Sequence, residues 1–167
     1  MRRVRFLGAL VTACAVAATT TVSGASGNNG SAVRGVQTPV GSGPCFDATA
    51  LDSYTMTGDL VGCWYTDTVV LTGVQPSGGV ELSGTEHFVG CLDLNGDERC
   101  GAGDPSGTFA TTFTFTGKFD ASGNELRGRC HHPIEAGTGG FAAATGVLNF
   151  TDDVATGRSH YTGSVRP

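Results

Sequence analysis

Thr108–Phe119 reads TFATTFTFTGKF. Phe109, Phe113, Phe115 and Phe119 share one parity, and Thr112, Thr114, Thr116 and Lys118 share the other. Side chains alternate across a strand, so this spacing predicts a half-buried strand of high β-propensity on both faces. Alternation recurs in Leu60–Leu71, Val80–Leu92, Glu125–His132, Thr145–Thr151 and Ser159–Arg166, with an earlier segment near Phe46–Met56. Turn-forming runs separate several of them: QPSGG at Gln75–Gly79, DASGN at Asp120–Asn124 and DDVATG at Asp152–Gly157. No stretch repeats apolar residues at helical spacing. The expectation is an all-β chain of about eight strands in an antiparallel meander, closed into a barrel because closure removes both edges. An open sandwich is the alternative.

At 167 residues with a formal charge of −5, the chain is sized for one domain. Arg2, Arg3 and Arg5 precede an apolar run, Phe6–Ala18, too short to cross a bilayer. Small residues follow, which reads as a secretory signal over residues 1–25, with no transmembrane segment left after processing. Val11-Thr12-Ala13-Cys14 resembles a lipobox, so a lipid anchor at Cys14 on the cell surface is the alternative to release. Residues 26–44 are rich in Gly, Ser, Asn and Thr, with little apolar surface to offset ordering entropy; they read as a disordered leader. The folded domain is then expected at residues 45–167. It shows no basic run, and the acidic balance argues against a nucleic-acid partner.

A secreted chain uses its cysteines for disulfides. Setting Cys14 aside leaves Cys45, Cys63, Cys91, Cys100 and Cys130, an odd number. Cys91 and Cys100 flank one short loop and are expected to pair. Cys63–Cys130 is the second expected bridge, with Cys45–Cys63 as its rival. Inside the 91–100 loop, Asp93, Asn95 and Asp97 stand at alternate positions, with Asp104 beyond them. This resembles an EF-hand-type calcium loop, making structural calcium the one cofactor the sequence suggests. Glu98 stands where such loops want glycine, and no helices flank the segment. A disulfide-clasped acidic loop is the competing reading.

Turn geometry and parity assign an interior. A turn centred between Pro76 and Ser77 sets Asp67 opposite Glu86 and Tyr65 opposite Phe88. The 120–124 turn sets Phe113 opposite His132 and Phe115 opposite Cys130, with Leu126 on the same inward parity and Arg127, Arg129 and His131 outward. Trp64 is expected to face outward or toward a neighbouring subunit. Two carboxylates facing each other in an apolar lumen cannot both ionise cheaply, which leaves an acid beside a base. His132 adds a group that titrates near neutrality. Glu86, Asp67 and His132 are therefore the candidate catalytic set for proton transfer to a small carbonyl or polyene. Tyr65, Phe88, Phe113, Phe115 and Tyr161 would line its ligand. The plainer reading is that the charges are satisfied locally and only complete the fold. His131 and His132 project to opposite faces and cannot share one metal ion.

Pro133–Phe150, PIEAGTGGFAAATGVLNF, carries a further signal. Gly137, Gly139 and Gly140 allow positive φ and close backbone approach; Phe141 supplies an apolar plug and Gly146 opens the next strand. The skeleton Pro-Ile-x-x-Gly-Thr-Gly-x-Phe-x-x-Ala-x-Gly resembles the signature of the allene oxide cyclase and dirigent families. That resemblance implies a small closed β-barrel, a small hydrophobic ligand that is cyclised or steered in the lumen, and self-association. Thr145 stands where dirigent-like sequences usually carry arginine, so none of the family's substrate contacts is transferred. The alternatives carried forward are an isomerase or cyclase, a non-catalytic binding barrel, and a cell-envelope protein whose lumen is packed.

Overall fold

The computed structural model describes residues 30–167. Its strands are β1 (Ser31–Pro39), β2 (Asp52–Gly58), β3 (Leu60–Val74), β4 (Gly79–Leu92), β5 (Ser106–Phe119), β6 (Glu125–Gly137), β7 (Thr145–Asp153) and β8 (Arg158–Arg166). Each pairs antiparallel with the next, and β8 returns to β1, so the meander is a closed barrel as expected. The glycine-rich turn after β6 works as its sequence suggests. Gly139 takes φ 59°, Gly140 packs against the Pro105–Ser106 backbone, and Phe141 is fully buried at the end of a 3₁₀ turn.

The amino-terminal limit of the domain differs from expectation. Ser31–Pro39, assigned to the disordered leader, is the closing strand. It pairs with β2 from Gly35↔Gly58 to Pro39↔Tyr54 and with β8 from Ser31↔Val165 to Gln37↔Ser159. A strand held by two ladders needs few apolar side chains of its own. Here Val33 and Gln37 face inward, and Gly35 lies between them. A Cβ on Gly35 would collide with the Tyr161 hydroxyl and the Thr57 carbonyl, so the bare backbone is what admits that ring. The signal segment, Cys14 and residues 26–29 lie outside the described residues.

Two bulges rearrange the interior. Along β3–β4 the register runs from Leu60↔Leu92 to Thr66↔Glu86, then resumes at Thr68↔Thr85. Asp67 is the extra residue, and one extra residue exchanges the faces of everything beyond it. The turn-derived register therefore holds for Thr68–Leu71 and fails deeper in the barrel. Thr66, not Asp67, stands opposite Glu86, and Trp64, not Tyr65, stands opposite Phe88. Trp64, expected outside, is completely buried. On β6, Lys118↔Arg127 is followed by Phe119↔Glu125. Leu126 is bulged out and exposed, and Glu125 is buried in its place. Phe115↔Cys130 pairs as expected, and the Phe113 ring centre stands 5.8 Å from that of His132.

Cys91–Cys100 is bridged as expected. The second bridge is Cys45–Cys63, with Cα atoms 5.2 Å apart, not Cys63–Cys130. Parity explains the correction: Cys63 neighbours the inward Trp64 and so faces out, whereas Cys130 is a buried thiol on the lumen side. The bridge ties the 40–51 connection to the outside of β3. A chain shortened to begin at Cys45, the expected domain start, loses both ladders of β1 and bares the edges of β2 and β8. It is expected to lose the cooperative thermal transition of the full chain and to aggregate. A cooperative transition in the shorter chain, followed by circular dichroism, would show that closure is dispensable.

Candidate functional site

The centre of the barrel is aromatic. Trp64, Phe88, Phe109, Phe141, Phe150 and Tyr161 are at most 1% exposed. Trp64 packs with ring centres 6.4 Å from Phe88, 6.0 Å from Phe109 and 5.2 Å from Phe150. Edge and tilted contacts of this kind add to the burial of each ring. The Tyr161 hydroxyl accepts from the Leu60 amide at 2.8 Å and reaches the Thr57 carbonyl at 3.1 Å, tying β8 across the lumen to the β2–β3 corner. Burial raises its pKa above the ordinary tyrosine range.

A charge-bearing pair, Glu86 and His132, is buried beside these rings. Glu86 is 3% exposed and accepts three hydrogen bonds: Trp64 Nε1 at 2.8 Å, Thr66 Oγ1 at 2.7 Å and His132 Nε2 at 2.7 Å. Every donor comes from a different turn of the inward pattern on β3 or β6, and the Asp67 bulge is what brings Trp64 and Thr66 to that face. His132 is itself enclosed by Trp64, Phe113 and Phe150. Burial works against its imidazolium, but the Cys130 sulfur and the Glu86 carboxylate outweigh it and raise its pKa from 6.5 to about 10. A buried charge is tolerated when paired and fully hydrogen-bonded, and Glu86 meets both conditions.

Of the expected catalytic set, the structure joins Glu86 to His132 and separates Asp67. Asp67 lies on the outer wall, 2.9 Å from His87 Nδ1, with both side chains substantially exposed. Tyr65, expected in the lumen, stacks outside on His87 with ring centres 4.9 Å apart. Phe88, Phe113, Phe115 and Tyr161 do face inward and belong to the buried core cluster.

The carboxylates that accompany Glu86 indoors are ones the sequence reading passed over. Asp52 is raised from 3.8 to about 6 by burial and by the Glu86 charge. Toward the same end of the barrel, Asp152 and Glu125 form a buried carboxyl pair. Ser159 Oγ donates to Asp152 Oδ1 at 2.7 Å. Burial is the main cause of both shifts, taking Glu125 from 4.5 to about 7 and Asp152 from 3.8 to about 9. Such a pair shares a proton through neutrality. Asp152 fell in a segment read as a turn, and Glu125 reaches the lumen only through the Leu126 bulge, so strict alternation hid both.

In the 93–104 loop the expected ligand oxygens are turned onto the loop's own backbone. Asp93 accepts from the amides of Asn95, Gly96 and Glu98, and Asp104 accepts from Leu94 and Gly101. Glu98 does adopt the positive φ, 58°, that a glycine would take at that position. Among the described residues, no three acidic, histidine or cysteine groups converge to hold a metal ion.

The chain matches no protein-family model, no curated protein and no solved structure. The site is therefore read from its own geometry.

Two predictions follow from the buried groups. Glu86→Gln turns an amide donor toward Trp64 and His132 and leaves His132 without its counter-charge; it is expected to cost about 3 kcal/mol or more, against less than about 0.5 kcal/mol for Asp67→Asn. Urea midpoints of the two variants check this, and equal midpoints would undo the role given to Glu86. Above pH 5 the pH dependence has one sign, because the aspartates with lowered pKa (Asp47, Asp93, Asp120 and Asp153) are ionised there in both states. Asp52, Glu125, Asp152 and His132 all bind protons more tightly in the folded chain, so stability falls as pH rises from the ordinary values toward about 10. The melting temperature is expected to be at least about 5 °C higher at pH 5 than at pH 9. A flat or rising profile by calorimetry would contradict it.

Proposed function

We propose that this chain is a non-catalytic extracellular barrel whose lumen serves as its hydrophobic core and whose working surface is its outer wall. The observation that carries this reading is the filling of the interior. Six rings occupy the centre with essentially no exposure, and Phe113 and Phe115 are only 6% and 5% exposed. A close-packed interior leaves voids smaller than a ligand, whereas small-molecule sites are open clefts of several hundred cubic ångströms. Glu86 and His132 have the composition of an acid–base pair, yet each oxygen of Glu86 is already satisfied by the protein. They act as the polar clasp that fixes β3, β4 and β6 in register. The likeness of Pro133–Phe150 to allene oxide cyclase and dirigent barrels is, on this reading, a shared way of turning and plugging a barrel end.

Secretion fits the two disulfides, which persist in oxidising compartments, and it fits the amino-terminal signal pattern. One observation favours a second reading, a lumen that holds a small molecule at one end. Gln37 Oε1 is buried without a hydrogen-bond donor among the described residues, on the strand paired with Ser159 and beside the proton-sharing Glu125–Asp152 carboxyls.

Native mass spectrometry of the protein purified from the medium of a producing cell separates the two. The packed reading expects the mass of the processed chain alone. A stoichiometric small molecule, retained on gentle ionisation and released on denaturation, would overturn it in favour of the second.

A further inference from the structure

The 120–124 hairpin assembles a cationic groove on the outer wall that is invisible in the linear sequence. Lys118, the chain's single lysine, stands directly opposite Arg127, and Thr116 stands opposite Arg129. Arg127 and Arg129 are two residues apart on one face, roughly 7 Å along the strand, and a directly opposed pair is about 5 Å apart. The three cations thus crowd one patch of β5 and β6, and all three are exposed. They line a groove of about 450 Å³ with Thr116, Ser77 and Gln75. Gly117 and Gly128 lie between these outward residues and face the interior, where a Cβ would meet the Phe115 ring.

Like charges set opposite one another on neighbouring strands are destabilising. In a chain with 15 acidic and 10 basic residues, carboxylates are plentiful, yet among the described residues none pairs with these cations. The two ion pairs among the described residues are His87–Asp67 and His132–Glu86. Glu81, the acidic residue of the groove, is turned toward β3, where Gln75 Nε2 donates to it at 3.4 Å and Gly73 makes room for it. Among the described residues, no ion pair relieves the repulsion.

We propose that this groove is a binding site for a multiply charged oxyanion of the phosphate type, held by Lys118, Arg127 and Arg129 with Thr116 as a neutral donor. Guanidinium forks match phosphate oxygens bidentately, and the ammonium of Lys118 adds a point charge on the opposite strand. The spacing suits an anion whose charge extends over neighbouring groups better than a single compact ion. Such an anion is either free or displayed on a surface, as a phosphate-bearing headgroup. The groove lies outside the barrel, so its occupancy does not depend on what fills the lumen.

Titration with sodium tripolyphosphate at about 50 mM salt and sedimentation with vesicles containing phosphatidic acid test the free and the displayed source. Saturable binding to at least one is expected, weakened at least tenfold in R127Q/R129Q and in K118Q, and changed less than twofold in R34Q, which lies on β1. Tripolyphosphate should also raise the melting temperature of the wild-type chain by linkage and leave that of R127Q/R129Q unmoved. The variants relieve repulsion and are expected to fold, which circular dichroism checks. Binding to neither probe, or equal loss in R34Q and R127Q/R129Q, would overturn the assignment.

Discussion

A carboxylate held among six aromatic rings is the constraint on which the rest of this structure depends. Glu86 is 3% exposed, so its three donors must be in place or the core is charged and unpaired. Trp64 and Thr66 reach it only because Asp67 bulges out of β3. Without the bulge, the deeper half of β3 would turn its other face inward: Tyr65 for Trp64, and an acid beside an acid. The fold thus couples a local backbone irregularity to the choice between a satisfied core and two facing carboxylates. His132 makes the same demand of β6. The result is a polar clasp that specifies register where apolar packing alone would tolerate slippage.

Alternation made most of the fold legible. The Phe row of β5 and the turn signals at 75–79 and 120–124 located β3 to β8 and the direction of Phe109, Phe113, Phe115, Cys130 and His132. What alternation cannot register is an extra residue, because period-2 parity carries no memory of where a bulge falls. Asp67 and Leu126 are each a single such residue, and each inverted the assignment beyond it. That is why Tyr65 and Asp67 were expected in the lumen and Glu125 was not. β1 was missed for a different reason. A strand's worth of hydrophobic pattern is what sequence reading detects, and a closing strand draws instead on two backbone ladders, with Gly35 chosen for the space it leaves to Tyr161. The exchange of Cys130 for Cys45 in the second disulfide is decided by face, which only the true register supplies.

The distribution of charge then bears on where such a protein can act. Carboxyl groups have been drawn indoors: Glu86 into the aromatic centre, Asp52 beside it, and Glu125 with Asp152 toward one end, where burial holds protons on them. Cations take the opposite course. Lys118, Arg127 and Arg129 all stand on the outer wall, placed together by one hairpin and left without partners among the described residues. Inside, the acids are met by protons, by hydrogen bonds or, for Glu86, by the His132 imidazolium as well. Outside, like charges stand opposite one another with no ion pair to relieve them among the described residues. The two come from different stretches of one ladder: the bulge at Leu126 turns Glu125 inward, whereas the unbroken pairing from Thr114↔His131 to Lys118↔Arg127 sets Arg127 opposite Lys118. The buried acids thus depend on two extra residues, Asp67 on β3 and Leu126 on β6, whereas the cationic face rests on uninterrupted alternation along β5 and β6.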